Sequence, residues 1–262
     1  MEPVICFEML YSGLEPAEKI AAVAALGFDR VEFWGWRDKD LEALRGACDK
    51  YNVKVANFSG QRRGSLIARD THHLLGGELR DAVAAARLLN CPTLMLLSNE
   101  LGEGGRVLET CADLSPEAKR ANLKTGLERA RQEAPEDILL VLEPLNTRID
   151  HPGYFLSGMA ASVSLIREID HPGIKILCDF YHLGVMGEDL EAVIDHYTAE
   201  IGYVHVADFP GRHEPGTGTA DWKGLLRRLR DAGYSGCVGF EYEPLSDSEA
   251  SLAAVRSLWD SL

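Results

Sequence analysis

Four side chains in the second half of the chain have types that can do chemistry together. Glu143 closes the apolar run ILLVLEP, Asp179 closes IKILCD, His205 lies in IGYVHVAD and Glu241 lies in CVGFEYE. Three carboxylates and an imidazole brought to one point repel each other unless a cation sits among them. Such a hard, oxygen-rich donor set suits Mn2+ or Mg2+, with Co2+ also fitting, better than an ion that prefers thiolates. Taken singly, each has an ordinary reading. A Glu at a strand end is commonly a cap or ion-pair partner, and a His in an apolar strand is commonly a hydrogen-bonded core residue. Their order along four consecutive apolar runs makes them a candidate metal set.

Those four runs close a longer series. Short β-branched and apolar segments recur at VICFE (4–8), RVEFWG (30–35), VKVANFS (53–59), PTLMLLS (92–98), ILLVLEP (138–144), IKILCD (174–179), IGYVHVAD (201–208) and CVGFEYE (237–243), each followed by a segment with helical periodicity. LMLLS and ILLVL are apolar at nearly every position, as strands covered on both faces must be. Ser115, Pro116 and Glu117 supply an N-cap, a first-turn proline and an early acid for one helix. The phrases ALGFDRVEF and DAGYSGCVGF place glycine where a helix stops before a strand. The first strand candidate leads into CFEMLYSGLEP without the GxGxxG of an open doubly wound sheet, and GEGG at 102–105 falls in a loop after the fourth. The pattern predicts an α/β protein, a (β/α)8 barrel. Because 262 residues suit one such barrel and no linker interrupts them, residues 1–262 are expected to form a single domain. In a barrel the carboxyl ends of the strands carry the chemistry, which is where Glu143, Asp179, His205 and Glu241 fall.

A formal net charge of -14 disfavours nucleic acid and anionic membrane surfaces as partners, and no apolar run reaches the length of a membrane span. The six cysteines show no CxxC spacing, and MEPVICFEML lacks the basic start and apolar core of a secretion signal. A cytoplasmic protein with reduced thiols, several of them buried in strands, is expected.

The strings CDFYH, VADFPGRHEPGTG and GFEYEP carry a resemblance that extends over essentially the whole chain. The sequence resembles the hydroxypyruvate isomerase family of the xylose-isomerase-like TIM-barrel superfamily. The resemblance implies a metal held by Glu143, Asp179, His205 and Glu241, with Glu143 and Glu241 as the catalytic proton-transfer pair. It further implies an aldose-ketose type isomerisation through an enediolate, on hydroxypyruvate or a related short 2-oxo acid. His182 and Arg212 are then expected to contact this small-molecule substrate. His205, where some relatives have Gln, matches the ketose 3-epimerase branch and makes that activity the alternative. The continuation LNTRIDHPGY lacks the second acid that such epimerases place after the fifth-strand Glu, which weighs against it. A non-catalytic sugar-binding barrel is a remoter alternative, opposed by the presence of both glutamates. Abasic-site endonucleases share the barrel, but a multi-zinc site needs further histidines at early strand ends. LMLLSNE has none, and His72 and His73 are placed at the start of the following helix. Trp34, Trp36, Gln61, Arg62, Arg63, Asn146 and Arg148 are further candidates to line or shape the pocket. Exposed barrel helices often build dimers or tetramers, so a homo-oligomer is compatible with this fold.

Overall fold

The alternating apolar and amphipathic segments form eight parallel strands in a closed barrel whose spatial order follows the sequence. The computed structural model describes residues 1–262. Its strands are β1 (Glu2–Cys6), β2 (Arg30–Glu32), β3 (Lys54–Ser59), β4 (Thr93–Leu97), β5 (Leu139–Glu143), β6 (Ile174–Asp179), β7 (Ile201–Val206) and β8 (Cys237–Phe240). The helices are α1 (Pro16–Ala25), α2 (Leu41–Tyr51), α3 (His72–Leu89), α4 (Pro116–Glu133), α5 (Met159–Ile169), α6 (Phe180–Met186), α7 (Leu190–Tyr197), α8 (Trp222–Asp231) and α9 (Ser248–Asp260). Ser115 Oγ accepts from the Ala118 amide at the start of α4, as its position predicts, and His72 opens α3. Asp40, Asp189, Asp221 and Asp247 cap α2, α7, α8 and α9 in the same way.

Several strands differ from their apolar runs: β1 is displaced two residues toward the amino end, β2 stops at Glu32, and Glu241 is the first residue beyond β8. At the carboxyl end of the barrel the backbone leaves the ladder to make other bonds. The Trp34 amide donates to the Glu8 carboxylate at 2.9 Å, and the Glu243 amide donates to the Arg212 carbonyl at 2.9 Å. The second and eighth runs are therefore strand followed by site-forming loop.

One continuous apolar core fills the space inside the barrel and between it and the helices. All six cysteines are free; Cys6, Cys178 and Cys237 lie in strands, Cys48 lies in α2, and Cys91 and Cys111 lie in connecting segments. No helix is long and apolar enough to cross a membrane.

At the amino end of the barrel, opposite the candidate site, Arg131 in the last turn of α4 is buried. Its guanidinium donates to the carbonyls of Ile138 (2.8 Å), Gly173 (3.1 Å), Ala134 and Pro135. The α4 carboxyl end, the approach to β5 and the approach to β6 are thus tied by one side chain. Charge-assisted bonds of this kind contribute about 1.5–3 kcal/mol, and losing the donor leaves buried carbonyls unpaired. Arg131→Met is expected to lower stability by about 3 kcal/mol in urea unfolding. Turnover per folded molecule should be unchanged, because the substitution lies at the far end of the barrel.

Candidate active site

Parallel register brings the four candidate ligands to the same end of the barrel. Glu143 pairs in register with Leu97 of β4, Asp179 with His205 across β6 and β7, and His205 with Gly239 of β8, two residues before Glu241. All four side chains are buried. His205 is the hub: its Nδ1 lies 3.5 Å from Glu143 Oε1, 3.7 Å from Glu241 Oε2 and 3.9 Å from Asp179 Oδ2. Nδ1 has no hydrogen-bond partner. Ligand atoms around a common cation at about 2.1 Å must sit roughly 3–3.5 Å from each other, so the separations seen are close to what a shared divalent ion requires.

Asp179 serves both backbone and site. Its Oδ1 accepts from the Tyr181 and His182 amides at 2.7 and 3.1 Å, capping α6, which leaves Oδ2 facing His205 and His182. Glu241 is held from both sides: Trp34 Nε1 donates to Oε1, and Arg212 Nη2 donates to Oε2 at 2.6 Å. No hydrogen bond of this kind is made to the Glu143 carboxylate by Arg, Trp or backbone, and its nearest polar neighbour is His205.

These surroundings set the ionisation. Burial pushes Glu143 up to about 7 and Asp179 up to about 6, in each case against the pull of His205. Burial acts on Glu241 in the same sense, but Arg212, His205 and Trp34 together hold it below its ordinary value. Burial alone would lower His205, yet Glu32, Glu143 and Glu241 outweigh it and raise it well above the usual imidazole range. Burial, with Arg212 beside it, keeps His182 neutral, well below the usual range.

Both expected substrate contacts lie at this cluster. Asn146 Nδ2 donates to His182 Nδ1 at 2.7 Å, while Asn146 Oδ1 accepts from the Ile149 and Asp150 amides, which fixes the orientation of the amide. The proton of neutral His182 is therefore on Nε2, 3.6 Å from Asp179 Oδ2. Arg212 is drawn inward to Glu241 and lies over the Tyr181 ring at 5.1 Å, with its Nε buried and unpaired. Glu214, the neighbouring acid in GRHEP, instead accepts from the Leu245 amide. The glycine-rich turn that follows wraps the buried Asp208 carboxylate. Gly216, at φ +99°, donates its amide to Asp208 Oδ2, and a Cβ at Gly218 would come within 2.4 Å of Oδ1. That close approach explains the glycines of GTG and fixes the loop that delivers Arg212.

Other candidates have other places. Gln61 is buried but spans Gly64, Leu97 and the Leu97 amide, tying β4 to the loop after β3. Arg63 is exposed, Trp36 stacks beneath Arg37 at 4.3 Å, and Arg148 donates to the Val185 carbonyl at the surface. Three functional neighbours carried little sequence signal. Trp34 and Asn146 follow strand ends and are pocket candidates by position, but nothing in the sequence names Glu241 and His182 as their partners. Glu32, whose carboxylate lies 3.1 Å from His205 Nε2, interrupts an apolar strand as the four ligands do, but stands on β2, far from them in sequence.

A closed parallel barrel with a buried carboxylate-imidazole cluster at the carboxyl ends of its strands defines the TIM-barrel enzyme class. A family model described as "Xylose isomerase-like TIM barrel" matches residues 20–258, and the chain belongs to that family. It is 31% identical to the hydroxypyruvate isomerase of Escherichia coli (strain K12), over 93% of this chain and 94% of that protein. It is 25% identical to the 2-oxo-tetronate isomerase of Haemophilus influenzae, over 93% of this chain and 94% of that protein. A crystal structure described as an AP endonuclease, family 2, from Brucella melitensis superposes with a TM-score of 0.88 at 26% identity, covering 98% of both chains. The chain is an enzyme of the isomerase class.

The Asn146–His182 bond yields a direct test. Asn146→Ala leaves His182 Nδ1 buried without its donor, so stability should fall by about 2 kcal/mol. Misorientation of the ring should lower kcat/KM about tenfold to a hundredfold, measured against the wild type at a temperature where both are folded.

Proposed function

We propose that the chain is a metal-dependent isomerase that shifts a hydrogen between adjacent carbons of hydroxypyruvate, or of a closely related short 2-oxo acid, with a proton carried by a glutamate. The observation that supports it most is the buried cluster itself. The carboxylates of Glu143, Asp179, Glu241 and Glu32 face only two cationic groups, His205 and Arg212, and His205 Nδ1 is unpaired at its centre. This donor set fits a hard divalent cation, which Glu143, Asp179, His205 and Glu241 would hold. When bound, Mn2+ or Mg2+ would polarise the substrate carbonyl as a Lewis acid and offset the negative charge that develops as the carbon-bound proton leaves. The relatives named hydroxypyruvate isomerase and 2-oxo-tetronate isomerase support the choice of a short 2-oxo acid.

The residues divide the remaining work. Glu143, with no strong donor on its carboxylate, is the group free to take the proton from the hydroxyl-bearing carbon and return it to the neighbouring one. The hydroxyl proton moves to the former carbonyl oxygen in the same conversion, a transfer assigned to Glu241. Trp34 and Arg212 hold that second carboxylate in place. The Nε2–H of His182 and the unpaired Nε–H of Arg212 are donors for substrate oxygens, the latter suited to an anionic group. Charge and donors fixed before the substrate arrives lower the reorganisation needed in the transition state.

Conversion of hydroxypyruvate to tartronate semialdehyde, followed by NMR in D2O, tests the reading. Turnover should require added Mn2+ or Mg2+, vanish with a chelator and return on adding the ion back. Glu143→Gln and Glu241→Gln should each lower kcat by about a thousandfold or more. Glu143→Gln should also abolish deuterium exchange at carbon, with Glu241→Gln retaining part of it. Inversion at C3 of a ketose in place of this conversion would assign the alternative epimerase activity, and turnover untouched by the chelator would remove the metal from the mechanism.

A further inference from the structure

Glu32 belongs to none of the groups assigned above, yet it is among the most enclosed carboxylates in the protein. It is 2% exposed, neither oxygen has a hydrogen-bond partner, and the nearest cationic group is the equally unpartnered His205 Nε2, 3.1 Å from Oε1. A buried carboxylate without donors is costly to maintain, so its position calls for a partner that uses it.

Three features of the barrel converge on this pair. The pairing of β2 with β3 shifts register between Val31 and Glu32, so that Val31 lies opposite Val55 but Glu32 lies opposite Asn57. An irregularity of this kind re-aims the side chain at which it occurs. On the strand next to His205, Gly239 of β8 lies in register with it. A Cβ there would come within 2.1 Å of Glu32 Oε1 and 2.8 Å of His205 Cδ2. Gly239 has no positive φ, so the turn argument for glycine does not apply to it; the space it leaves is filled by the Glu32–His205 contact. Finally, the buried Tyr203 ring meets the His205 ring edge-on at 5.5 Å, limiting its rotation from below.

We propose that Glu32 is a positioning residue: seated in the hollow left by Gly239, it receives the Nε2–H of His205 and so directs Nδ1 at Glu143, Asp179 and Glu241. A histidine that ligates through one nitrogen is oriented through the other, and the carboxylate on that second nitrogen fixes both the tautomer and the ring plane. Glu32 does not touch substrate in this arrangement. Its effect is exerted through a single imidazole, and the inference rests on the metal-dependent reading of the site.

The experiment is calorimetric titration of Mn2+ into the metal-free full-length protein, with wild type, Glu32→Gln, Glu32→Leu and Gly239→Ala, alongside thermal unfolding of each metal-free form. Wild type should bind one Mn2+. Glu32→Leu, which keeps the volume but removes the acceptor, should bind about 10–100-fold more weakly. Glu32→Gln, whose amide oxygen can still accept the Nε2–H, should recover part of that loss. Gly239→Ala, which displaces the carboxylate without removing it, should also weaken binding. That ordering, with unfolding temperatures that do not follow it, supports the inference. If wild type binds Mn2+ and all three variants bind equally well, Glu32 is only a packing residue and the inference fails while the proposed function stands. The inference also fails if Gln and Leu weaken binding equally in proportion to lost thermal stability. If wild type binds no divalent ion, both the metal-dependent reading and this inference are overturned.

Discussion

Everything at the carboxyl end of the barrel is arranged around an excess of buried negative charge. Glu32, Glu143, Asp179 and Glu241 surround one imidazole, with Arg212 as the only guanidinium paired to the cluster. Removing that many carboxylates from water is expensive, and the mutual repulsion grows as the local dielectric falls. The protein meets the problem with fixed donors: the amides that begin α6 take one oxygen of Asp179, and Trp34 and Arg212 take both oxygens of Glu241. Among Glu143, Asp179 and Glu241, Glu143 has the fewest donors and is pushed up to about 7 by burial. The same arrangement that makes the cluster unfavourable as bare protein is what the proposed metal-dependent reading rests on.

The loops are shaped to meet this charge. Arg212 reaches Glu241 from a segment held on Asp208, and its own backbone adopts φ +56°, a left-handed conformation that a non-glycine residue enters only when its surroundings impose it. Asn146 spends its amide oxygen on the backbone of its own loop and its amide nitrogen on His182, so one side chain sets the loop and the ring together. Far from the cluster, at the opposite end of the barrel, Arg131 binds carbonyls of the α4 carboxyl end and of the approaches to β5 and β6, which fastens the framework without touching the site.

The distribution of roles follows from this environment more than from residue type. Glu143 and Glu241 are chemically identical, but one is nearly free of donors and the other is clamped between an indole and a guanidinium. His182 and His205 are likewise the same residue in opposite electrostatic settings: burial and Arg212 keep the first neutral, and the surrounding carboxylates favour charge on the second. A set of repeated residue types thereby supplies positions of distinct charge and hydrogen-bonding capacity within one small volume.

The sequence by itself determined the barrel and singled out the four candidate ligands, because both are written locally. Fully apolar runs such as LMLLS and ILLVL mark strands covered on both faces, and Glu143, Asp179, His205 and Glu241 each stand out as a polar residue at the end of such a run. Strand ends were less legible, since RVEFWG stays apolar beyond Glu32, where β2 stops and the chain turns to bond Glu8, and CVGFEYE carries on in alternation beyond Phe240, where the Glu243 amide bonds the Arg212 carbonyl. Only the tertiary structure decided the partners. Glu32 meets His205 through a register shift on β2 and a glycine on β8, Trp34 meets Glu241 from 207 residues away, and Arg212 chooses Glu241 over the adjacent Glu214. Local periodicity specifies which face of an element is buried. Which side chains then touch depends on barrel closure and strand register, and those are properties of the assembled sheet.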